Sequence, residues 1–379
     1  MRIMTVFGTR PEAIKLCPIV RALEARAEVA LTVCTTGQHR EMLRQVLDLF
    51  EVEPTMDLAI MTPGQTLTEV TTRVLAKLAA VLAERPVDFL LVQGDTTTAF
   101  AASLAAYYAK IPVAHVEAGL RSRDIYAPFP EEVNRRLVSV IGALHFAPTP
   151  EARDNLVKEG VTPSTVMVTG NSVIDALLHF QRLLQTDRAL DARFREQFGF
   201  LDPGRRLILV TGHRRENFDG GIARVCDGLL EIAGRGDVQI VYPVHPNPNV
   251  REPVGERLGG HPAIHLLDPL DYLPFVYLMT RAYVILTDSG GIQEEAPALG
   301  KPVLVTRETT ERPEGVAAGT ARLVGTDRAL IAAELARLLD DRDAYDAMSR
   351  AHNPYGDGRS SERIVGALLE RRAEGGASA

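Results

Sequence analysis

The chain has 379 residues, 46% of them hydrophobic, and a formal net charge of −7. This hydrophobic content is enough for two domains of ordinary size, each with its own core, and it excludes an intrinsically disordered chain. The negative charge argues against a general binder of nucleic acids or anionic membranes, so an anionic ligand would have to be held by local basic clusters.

The cysteine pattern and the apolar runs indicate the cellular compartment of the protein. Cys17, Cys34 and Cys226 are odd in number and have no C-x-x-C spacing, which is typical of a reducing cytosol and predicts neither a zinc site nor a disulfide framework. No apolar run reaches the ~18 residues of a membrane span, and the first residues form a strand pattern rather than a signal peptide. We therefore expect a soluble, cytoplasmic protein.

The first half of the sequence alternates short apolar runs with helical patterns. Thr9 and Glu12 have capping-box spacing, so a helix begins directly after the first strand. Arg10 and Lys15 beside that turn either meet a phosphate or sugar, or are solvated surface charges. The predicted strands are 3–7, 29–35, 87–93, 111–116, 145–147 and 166–169, and the predicted helices include 66–82, 99–109, 150–159 and 173–184.

Two acidic residues stand where predicted strands end. Asp95 follows the strand 87–93, and Glu117 follows the strand 111–116. Open parallel sheets bind ligands in the crevice at the carboxyl ends of their strands, so both residues are functional candidates. Each could instead be a helix cap or a loop anchor. The helix that starts at 131 has two glutamates in its first turn, and the helix dipole alone accounts for one of them.

The second half repeats this architecture after a polar, turn-rich passage from 185 to 204. Because strand and helix alternate in both halves, we expect an α/β protein with parallel sheets. The domain boundary is predicted within about 170–185 on this pattern. No internal sequence repeat is evident. The predicted strands here are 207–211, 239–244, 264–267, 283–287 and 302–305.

An Asp-Ser-Gly-Gly turn at 288–291 joins the strand 283–287 to a predicted helix over 292–299. Gly290 and Gly291 allow a ligand to approach the backbone closely, and the free N–H groups and positive dipole end of the helix suit a phosphate or diphosphate. Glu295, one turn further on, could reach a ribose diol. The alternative is an ordinary strand-to-helix turn with Ser289 as its N-cap.

Other polar residues also follow strands of the second half. His213 is flanked by a glycine and two arginines, and it either binds a ligand or makes a hydrogen bond within its loop. His245 and Arg312 have the same alternatives of a ligand contact or a purely local role. Turn-forming residues at 353–358 precede a last helix over 360–372, which can carry the chain back to the first domain.

Seven short runs, taken together and in this order, make a specific pattern. They resemble the motifs of the bacterial non-hydrolysing UDP-N-acetylglucosamine 2-epimerase family, and the resemblance extends from residue 1 to about residue 363. Alone, the Gly-Gly turn or the Gly-Asp pair would be weak evidence for a family. The runs are FGTRPEAIK at 7–15, GDTTT at 94–98, HVEAGLR at 115–121, PEEVNR at 130–135, TGHRREN at 211–217, DSGGIQEE at 288–295 and ERP at 311–313.

The resemblance implies a fold like that of the GT-B glycosyltransferases, with two Rossmann-like domains facing a cleft and a C-terminal helix that returns to the first domain. Residues 1–172 and 360–379 would form the domain that carries acid and base carboxylates. Residues 173–359 would form the UDP-binding domain. The resemblance also implies a homodimer, and the reaction that it implies requires neither a metal nor an organic cofactor.

The same resemblance assigns roles to individual positions. The implied catalytic residues are Asp95, Glu117, Glu131 and His213. The implied UDP-sugar contacts are Arg10, Lys15, Arg135, Phe275, Ser289, Gly290, Gly291, Glu295 and Arg312. The family also suggests a second, regulatory site for the substrate beside the active site, and the residues we assign to it are Gln45, Arg73, Arg214 and His245, for which loop ordering is the alternative role.

The implied chemistry can be checked against these residues. The C2 proton of the sugar is not acidic until the C1–O bond breaks, so UDP must leave first or nearly so, giving a 2-acetamidoglucal to which UDP adds back. Such a path needs donors for the departing diphosphate and carboxylates around C2. The expected ligands are UDP-N-acetylglucosamine, UDP-N-acetylmannosamine and UDP. Which carboxylate removes the proton and which returns it stays open.

Three other functions remain compatible with the sequence. A UDP-sugar glycosyltransferase on the same fold would share the nucleotide-binding half. A hydrolysing epimerase would differ only in how well water is kept out. A non-catalytic UDP-sugar sensor is the alternative outside enzymology, and the joint presence of Asp95, Glu117, Glu131 and His213 argues against it.

Overall fold

The computed structural model describes residues 1–37, 40–62 and 64–376. The chain forms two compact units. Unit 1 consists of Met1–Ala176 together with Tyr355 to the end of the described chain, and unit 2 is Leu177–Pro354. Positions 377–379, which the sequence assigns to the first domain, lie outside the described residues. Each unit contains a parallel sheet with helices packed against it, so the predicted α/β class with two parallel-sheet domains is confirmed.

Unit 1 is built on a sheet whose strand order is β3-β2-β1-β4-β5-β6-β7 within the described residues. Its strands are β1 (Arg2–Phe7), β2 (Ala30–Thr35), β3 (Met56–Asp57), β4 (Phe89–Gln93), β5 (Val113–Val116), β6 (Leu144–Ala147) and β7 (Val166–Val168). Its helices are α1 (Arg10–Glu24), α2 (Arg40–Leu49), α3 (Leu67–Glu84), α4 (Thr97–Tyr108), α5 (Glu131–Ile141), α6 (Pro150–Lys158) and α16 (Ser360–Gly376), and the unit boundary falls inside α7 (Ser172–Thr186).

Unit 2 has a second parallel sheet, with the order β10-β9-β8-β11-β12-β13 in the described chain. Its strands are β8 (Arg206–Thr211), β9 (Val238–Pro243), β10 (Ile264–Leu267), β11 (Val284–Thr287), β12 (Val303–Val305) and β13 (Ala321–Leu323). Its helices are α8 (Arg188–Gln197), α9 (Gly221–Ala233), α10 (Pro248–Leu258), α11 (Tyr272–Arg281), α12 (Gly290–Ala298), α13 (Pro313–Ala317), α14 (Arg328–Asp340) and α15 (Arg342–Ser349).

The strand order explains where the functional residues meet. In unit 1 the central strands β1, β4 and β5 are neighbours, and β4 and β5 are buried along their whole length. In unit 2 the neighbours are β8 and β11. Strands that are buried on both faces read as continuous apolar runs, which is why the sequence predicts them well. The turns at their carboxyl ends therefore lie side by side within each unit.

One predicted passage is wrong. The stretch 185–204, expected to be irregular, contains the helix α8. Asp187 is its N-cap, and the side chain accepts hydrogen bonds from the backbone N–H groups of Ala189 and Leu190. Most of this helix is exposed, and a helix that buries little has no clear apolar stripe in its sequence. Its capping signal was the available indication.

The last helix packs in unit 1, as predicted. The carboxylate of Asp175, in the first turn of α7, accepts hydrogen bonds from the backbone N–H groups of Ser360 at 3.2 Å and Ser361 at 2.7 Å. Asp175 thus caps the N-terminus of α16, although it is far away in sequence.

No helix in the described ranges combines the length and apolar character needed to cross a bilayer.

Candidate active site

Unit 1 brings its candidate carboxylates to one edge of the sheet. Asp95 follows β4 and Glu117 follows β5, which is the neighbouring strand. Arg135 of α5 donates to the Asp95 carboxylate through Nη2 and, at 3.1 Å, through Nε. Glu131 lies one helical turn before Arg135 on the same face of α5, and its Oε2 is buried with no hydrogen-bond partner among the described residues. Arg135 is thus a neighbour of both Asp95 and Glu131.

Glu117 is held in an unusual backbone conformation. Its φ is 61°, in the left-handed region that residues other than glycine rarely adopt, and only 8% of the residue is exposed. Lys15 of α1 and Gln93 at the end of β4 both donate hydrogen bonds to Oε2 of Glu117. Strain of this kind costs about 1–3 kcal/mol and persists where the surrounding structure fixes the residue, often at functional sites.

Two of the predicted UDP-sugar contacts thus already have acidic partners in unit 1. Lys15 is paired with Glu117, and Arg135 with Asp95 and, at 3.3 Å, with Glu132. Glu132 is fully buried and also accepts hydrogen bonds from backbone N–H groups of the loop before α5. Of the two glutamates in the first turn of α5, Glu132 therefore has the structural role. Glu131 is the one whose Oε2 has no hydrogen-bond partner among the described residues.

His115 was not predicted to have a role. It lies in β5, is fully buried, and donates a hydrogen bond from Nε2 to the carbonyl oxygen of Gly94 at 2.7 Å. Burial lowers the pKa of His115 to about 3, so the ring stays neutral at physiological pH. The carbonyl oxygen of Asp95 accepts a second hydrogen bond, from Nδ2 of Asn134 at 2.9 Å. Both peptide groups of the Gly94–Asp95 turn are thereby fixed.

Unit 2 contributes the turn between β11 and α12. Ser289 occupies the N-cap position of α12, but its hydroxyl makes no capping hydrogen bond. A Cβ added to Gly290 would have its nearest neighbour, Cζ of Arg312, at 3.9 Å, and one added to Gly291 would be 3.8 Å from Oε2 of Glu295. The two glycines are therefore not required by contacts within the protein. A helix N-terminus without a side-chain cap suits a phosphate group.

The side chains around this helix start are fixed from two sides. Arg312 is ion-paired through Nε with Glu294, which is almost completely buried. Glu295 is 7% exposed, and its Oε1 accepts a hydrogen bond from the hydroxyl of Tyr272 in α11. Burial, together with the Glu295 carboxylate, raises the pKa of Tyr272 well above its ordinary value. Phe275 follows one turn after Tyr272 in α11 and is half-buried.

His213 lies at the carboxyl end of β8, next to the same turn. Its Nδ1 is 3.5 Å from Oδ1 of Asp288, the last residue before Ser289. Its ring stacks on that of His245, with the centroids 5.5 Å apart. Burial lowers the pKa of His213, an effect strengthened by Arg214 and His245 and opposed by Asp288. The imidazole is therefore neutral near pH 7.

Arg73, Gln45 and Arg214 are three of the four residues assigned to the regulatory site. Arg73 donates hydrogen bonds to the carbonyl oxygen of Ile60 and to Thr62, so it orders the loop before α3. Gln45 is exposed on α2. Arg214 donates to Glu311 at 3.3 Å.

Arg10, in the first turn of α1, is half-buried and has no ion pair within the part of the chain that the structure describes. No group of three or more metal-ligating side chains occurs in that part.

Comparison with known proteins identifies the family of this chain. The family model described as UDP-N-acetylglucosamine 2-epimerase matches residues 21–369. The chain is 57% identical to the UDP-N-acetylglucosamine 2-epimerase of Salmonella typhimurium, over 98% of this chain and 99% of the relative, and 56% identical to that of Escherichia coli K12 over the same shares.

A crystal structure of UDP-GlcNAc 2-epimerase from Neisseria meningitidis, bound to UDP-GlcNAc, superposes with a TM-score of 0.90 at 49% identity and covers 98% of this chain and 100% of that one. The resemblance seen in the sequence motifs is thus confirmed at the level of the family. The chain belongs to the UDP-N-acetylglucosamine 2-epimerase family, whose members are isomerases.

Proposed function

We propose that this protein interconverts UDP-N-acetylglucosamine and UDP-N-acetylmannosamine without hydrolysis, by eliminating UDP to a 2-acetamidoglucal and adding it back. The observation that carries the proposal is Glu117, a buried carboxylate in a left-handed backbone conformation that Lys15 and Gln93 hold at the carboxyl end of β5. Asp95 stands at the end of the neighbouring strand. Carboxylates fixed in this way suit proton transfer at the carbon next to the anomeric centre.

The first step breaks the C1–O bond, and its electron pair passes to the β-phosphate oxygen of UDP. We assign the diphosphate to the start of α12, where Ser289 makes no capping hydrogen bond and Cβ atoms at Gly290 and Gly291 would have their nearest neighbours at 3.9 and 3.8 Å. Arg312 is next to this position and supplies positive charge for the leaving group. Glu295 is assigned to the ribose and Phe275 to the uracil.

The second step removes the proton from C2 as C1 gains oxocarbenium character, and the C1=C2 double bond of the glucal forms. We assign this proton transfer to three carboxylates, those of Asp95, Glu117 and Glu131. In the return step UDP attacks C1 and a proton reaches C2 from the opposite face. Arg135 and Lys15 hold Asp95 and Glu117 in place, and they balance the negative charge of those two carboxylates.

The neutral state of His213 fits a role at the leaving group. A neutral imidazole has one free ring nitrogen that can accept a hydrogen bond or a proton from the ligand, whereas an arginine at that position could only donate. Arg10 is assigned to the phosphates as well. Its side chain lacks an ion pair in the described residues, so no acidic partner must be displaced before it meets an anion.

The wider role follows from the product. We propose that UDP-N-acetylmannosamine made in the cytoplasm serves the assembly of a surface polysaccharide, and that the enzyme acts as a homodimer. Substrate bound beside the active site, at Arg214 and His245, is proposed as a regulator. His245 stacks on His213, so a ligand at His245 would bear directly on a proposed catalytic residue.

Proton NMR of UDP-N-acetylglucosamine incubated with the protein in deuterated water tests the proposal. We expect UDP-N-acetylmannosamine, deuterium at C2 of both epimers, and no free sugar at early times. Free N-acetylmannosamine with UDP would instead assign the protein to the hydrolysing epimerases. An unchanged spectrum at high substrate concentration would contradict the proposal and favour a transferase or a sensor.

A further inference from the structure

Asp288 holds an unusual set of partners for a residue that the proposed reaction leaves without a role. It is 1% exposed and stands at the carboxyl end of β11, directly before Ser289. Its Oδ2 accepts hydrogen bonds from the backbone N–H groups of His213 and Arg214, both at 2.8 Å. Its Oδ1 is buried and has no hydrogen-bond partner among the described residues. A buried carboxylate oxygen without a donor is costly, and such an atom calls for a specific explanation.

A candidate donor to this oxygen is Nδ1 of His213, at 3.5 Å, while Nδ2 of Asn217 lies 3.5 Å from the other oxygen. That separation is slightly too long for a strong hydrogen bond, and contacts of catalytic groups often shorten when a ligand binds. The backbone on both sides is fixed, because Thr211 and Thr287 are neighbours in the paired strands β8 and β11 and their hydroxyl groups are 2.6 Å apart. A small rotation of the imidazole is therefore enough to close the gap.

We propose that Asp288 is a positioning residue for His213: its Oδ1 receives the Nδ1 proton, so that the imidazole keeps the Nδ1–H tautomer and Nε2 is the nitrogen left for the ligand. The inference rests on the proposed function of His213 at the leaving group. A neutral imidazole has two tautomers, and the hydrogen bond at one nitrogen decides which atom is free at the other. Asp288 also connects His213 to the Ser289–Gly291 turn, so one carboxylate positions two parts of the proposed diphosphate site.

The charged groups around His213 agree with this assignment. Arg214 and His245 both disfavour a positive charge on the ring, and Asp288 is the group that favours it. If the imidazole takes up a proton during the reaction, the Asp288 carboxylate is the group that stabilises the resulting charge.

The decisive variant is Asp288→Asn. The amide oxygen can still accept the two backbone N–H groups, so the turn is preserved, but the amide nitrogen then faces Nδ1 as a donor and forces the opposite tautomer. The control is Asp187→Asn in the same unit. Asp187 also accepts two backbone N–H groups through a single oxygen, at the start of α8, so an asparagine preserves both hydrogen bonds there, and it has no proposed ligand role.

Long-range ¹H–¹⁵N NMR of histidine-labelled protein reads the tautomer directly, with the His213 signals assigned by their loss in His213→Gln. We expect the proton on Nδ1 in the wild-type protein and on Nε2 in Asp288→Asn, together with a lower pKa of His213 in the variant. A wild-type ring with its proton on Nε2, or a tautomer that the substitution leaves unchanged, would overturn the proposal. Because the wild-type spectrum alone decides the first point, the test survives a variant that fails to fold.

Steady-state kinetics provides a second test of the proposal. We expect kcat of Asp288→Asn to fall on the order of 10²-fold with KM changed by no more than about threefold, and kcat of Asp187→Asn to stay within about twofold of wild type. Equal losses in the two variants would mean a general effect of replacing a carboxylate that accepts backbone N–H groups and would overturn the positioning role. If the wild-type protein shows no epimerisation, the proposed function fails, while the NMR experiment still decides the relation between Asp288 and His213.

Discussion

The hydroxyl of Tyr272 in α11 donates a hydrogen bond to Oε1 of Glu295 in α12. Glu295 is almost buried, so its carboxylate needs a donor, and Tyr272 fixes which way the carboxylate points. The sequence alone indicates a ribose contact for Glu295, but it gives no sign that an aromatic residue 23 positions earlier orients the side chain.

Replacing Tyr272 with phenylalanine tests this relationship. Tyr272→Phe removes only the hydroxyl, and a hydrogen bond to a charged group contributes about 1.5–3 kcal/mol, so we expect UDP to bind on the order of tenfold more weakly. Isothermal titration calorimetry with UDP measures the change. Tyr345→Phe is the matched control in the same unit, because Tyr345 stacks on Tyr283 at 4.1 Å and has no proposed ligand role. Equal affinity of Tyr272→Phe and wild type would remove Tyr272 from the nucleotide site.

Gly291→Ala separates stability from ligand binding. The added methyl group meets no protein atom closer than 3.8 Å, and alanine is favoured over glycine in a helix by up to about 1 kcal/mol, so the variant should be at least as stable as wild type. The same methyl group would occupy the space proposed for the diphosphate, so we expect UDP affinity to fall at least about tenfold.

Thermal unfolding and UDP titration together check this prediction. Gly255→Ala is the control, because Gly255 lies inside α10 and a Cβ there has nothing within 4 Å. It should gain stability in the same way and bind UDP normally. A Gly291→Ala protein that binds UDP as well as wild type would contradict the proposed diphosphate position.

Glu117→Gln addresses proton transfer at C2. The amide keeps the size of the side chain but cannot take up a proton, so deuterium incorporation at C2 should slow on the order of 10²-fold or more. The control is Glu159→Gln, which also removes a carboxylate from an ion pair of unit 1, in this case the pair with Arg121 at 2.7 Å. NMR in deuterated water measures both variants. Unchanged exchange in Glu117→Gln would exclude Glu117 from proton transfer.

His115 should make the protein sensitive to acid. Its pKa is lowered to about 3 in the folded state, and the unfolded chain has the ordinary value of about 6.5, so the unfolded state binds more protons between these two pH values. Stability should therefore fall as the pH falls from about 6.5 toward 3, by up to about 1.4 kcal/mol per pH unit from this residue. His115→Gln keeps a donor for the Gly94 carbonyl oxygen and removes the titration.

Urea unfolding of wild type and His115→Gln at a series of pH values isolates the effect. The difference between the two free energies of unfolding should grow in favour of the variant as the pH is lowered through that window. His145, whose pKa burial also lowers, is present in both proteins, so its own burial contributes to both free energies. A difference that is constant from pH 3 to 6.5 would contradict the prediction.

The elements that the sequence predicted were those with a strong local pattern. The buried strands β4, β5 and β11 appear as apolar runs, and the capping box of Thr9 and Glu12 is present at the start of α1. The short edge strands β3 and β13, of two and three residues, were not predicted, because so few residues show no periodicity. The helix α8 was missed because little of it is buried.

For the candidate site, position along the chain was predictable and partnership was not. Asp95, Glu117 and His213 were selected because they follow strands, which any parallel sheet brings to one edge. That Lys15 and Arg135 would be paired with these carboxylates depends on how α1 and α5 pack against the sheet. His115 is the first residue of the HVEAGLR run, but it was given no role because a histidine inside an apolar strand does not by itself indicate a function.

By itself, then, the sequence determined the alternation of strands and helices, the family, and the residues that stand at the ends of strands. These properties depend on local periodicity and on short motifs, which are readable from neighbouring residues. The tertiary structure alone decided that Asp288 faces His213, that Tyr272 orients Glu295 and that His115 fixes the Gly94 turn. Each of these contacts joins residues at least 21 positions apart, so it exists only after strand order and side-chain packing have brought the two partners together.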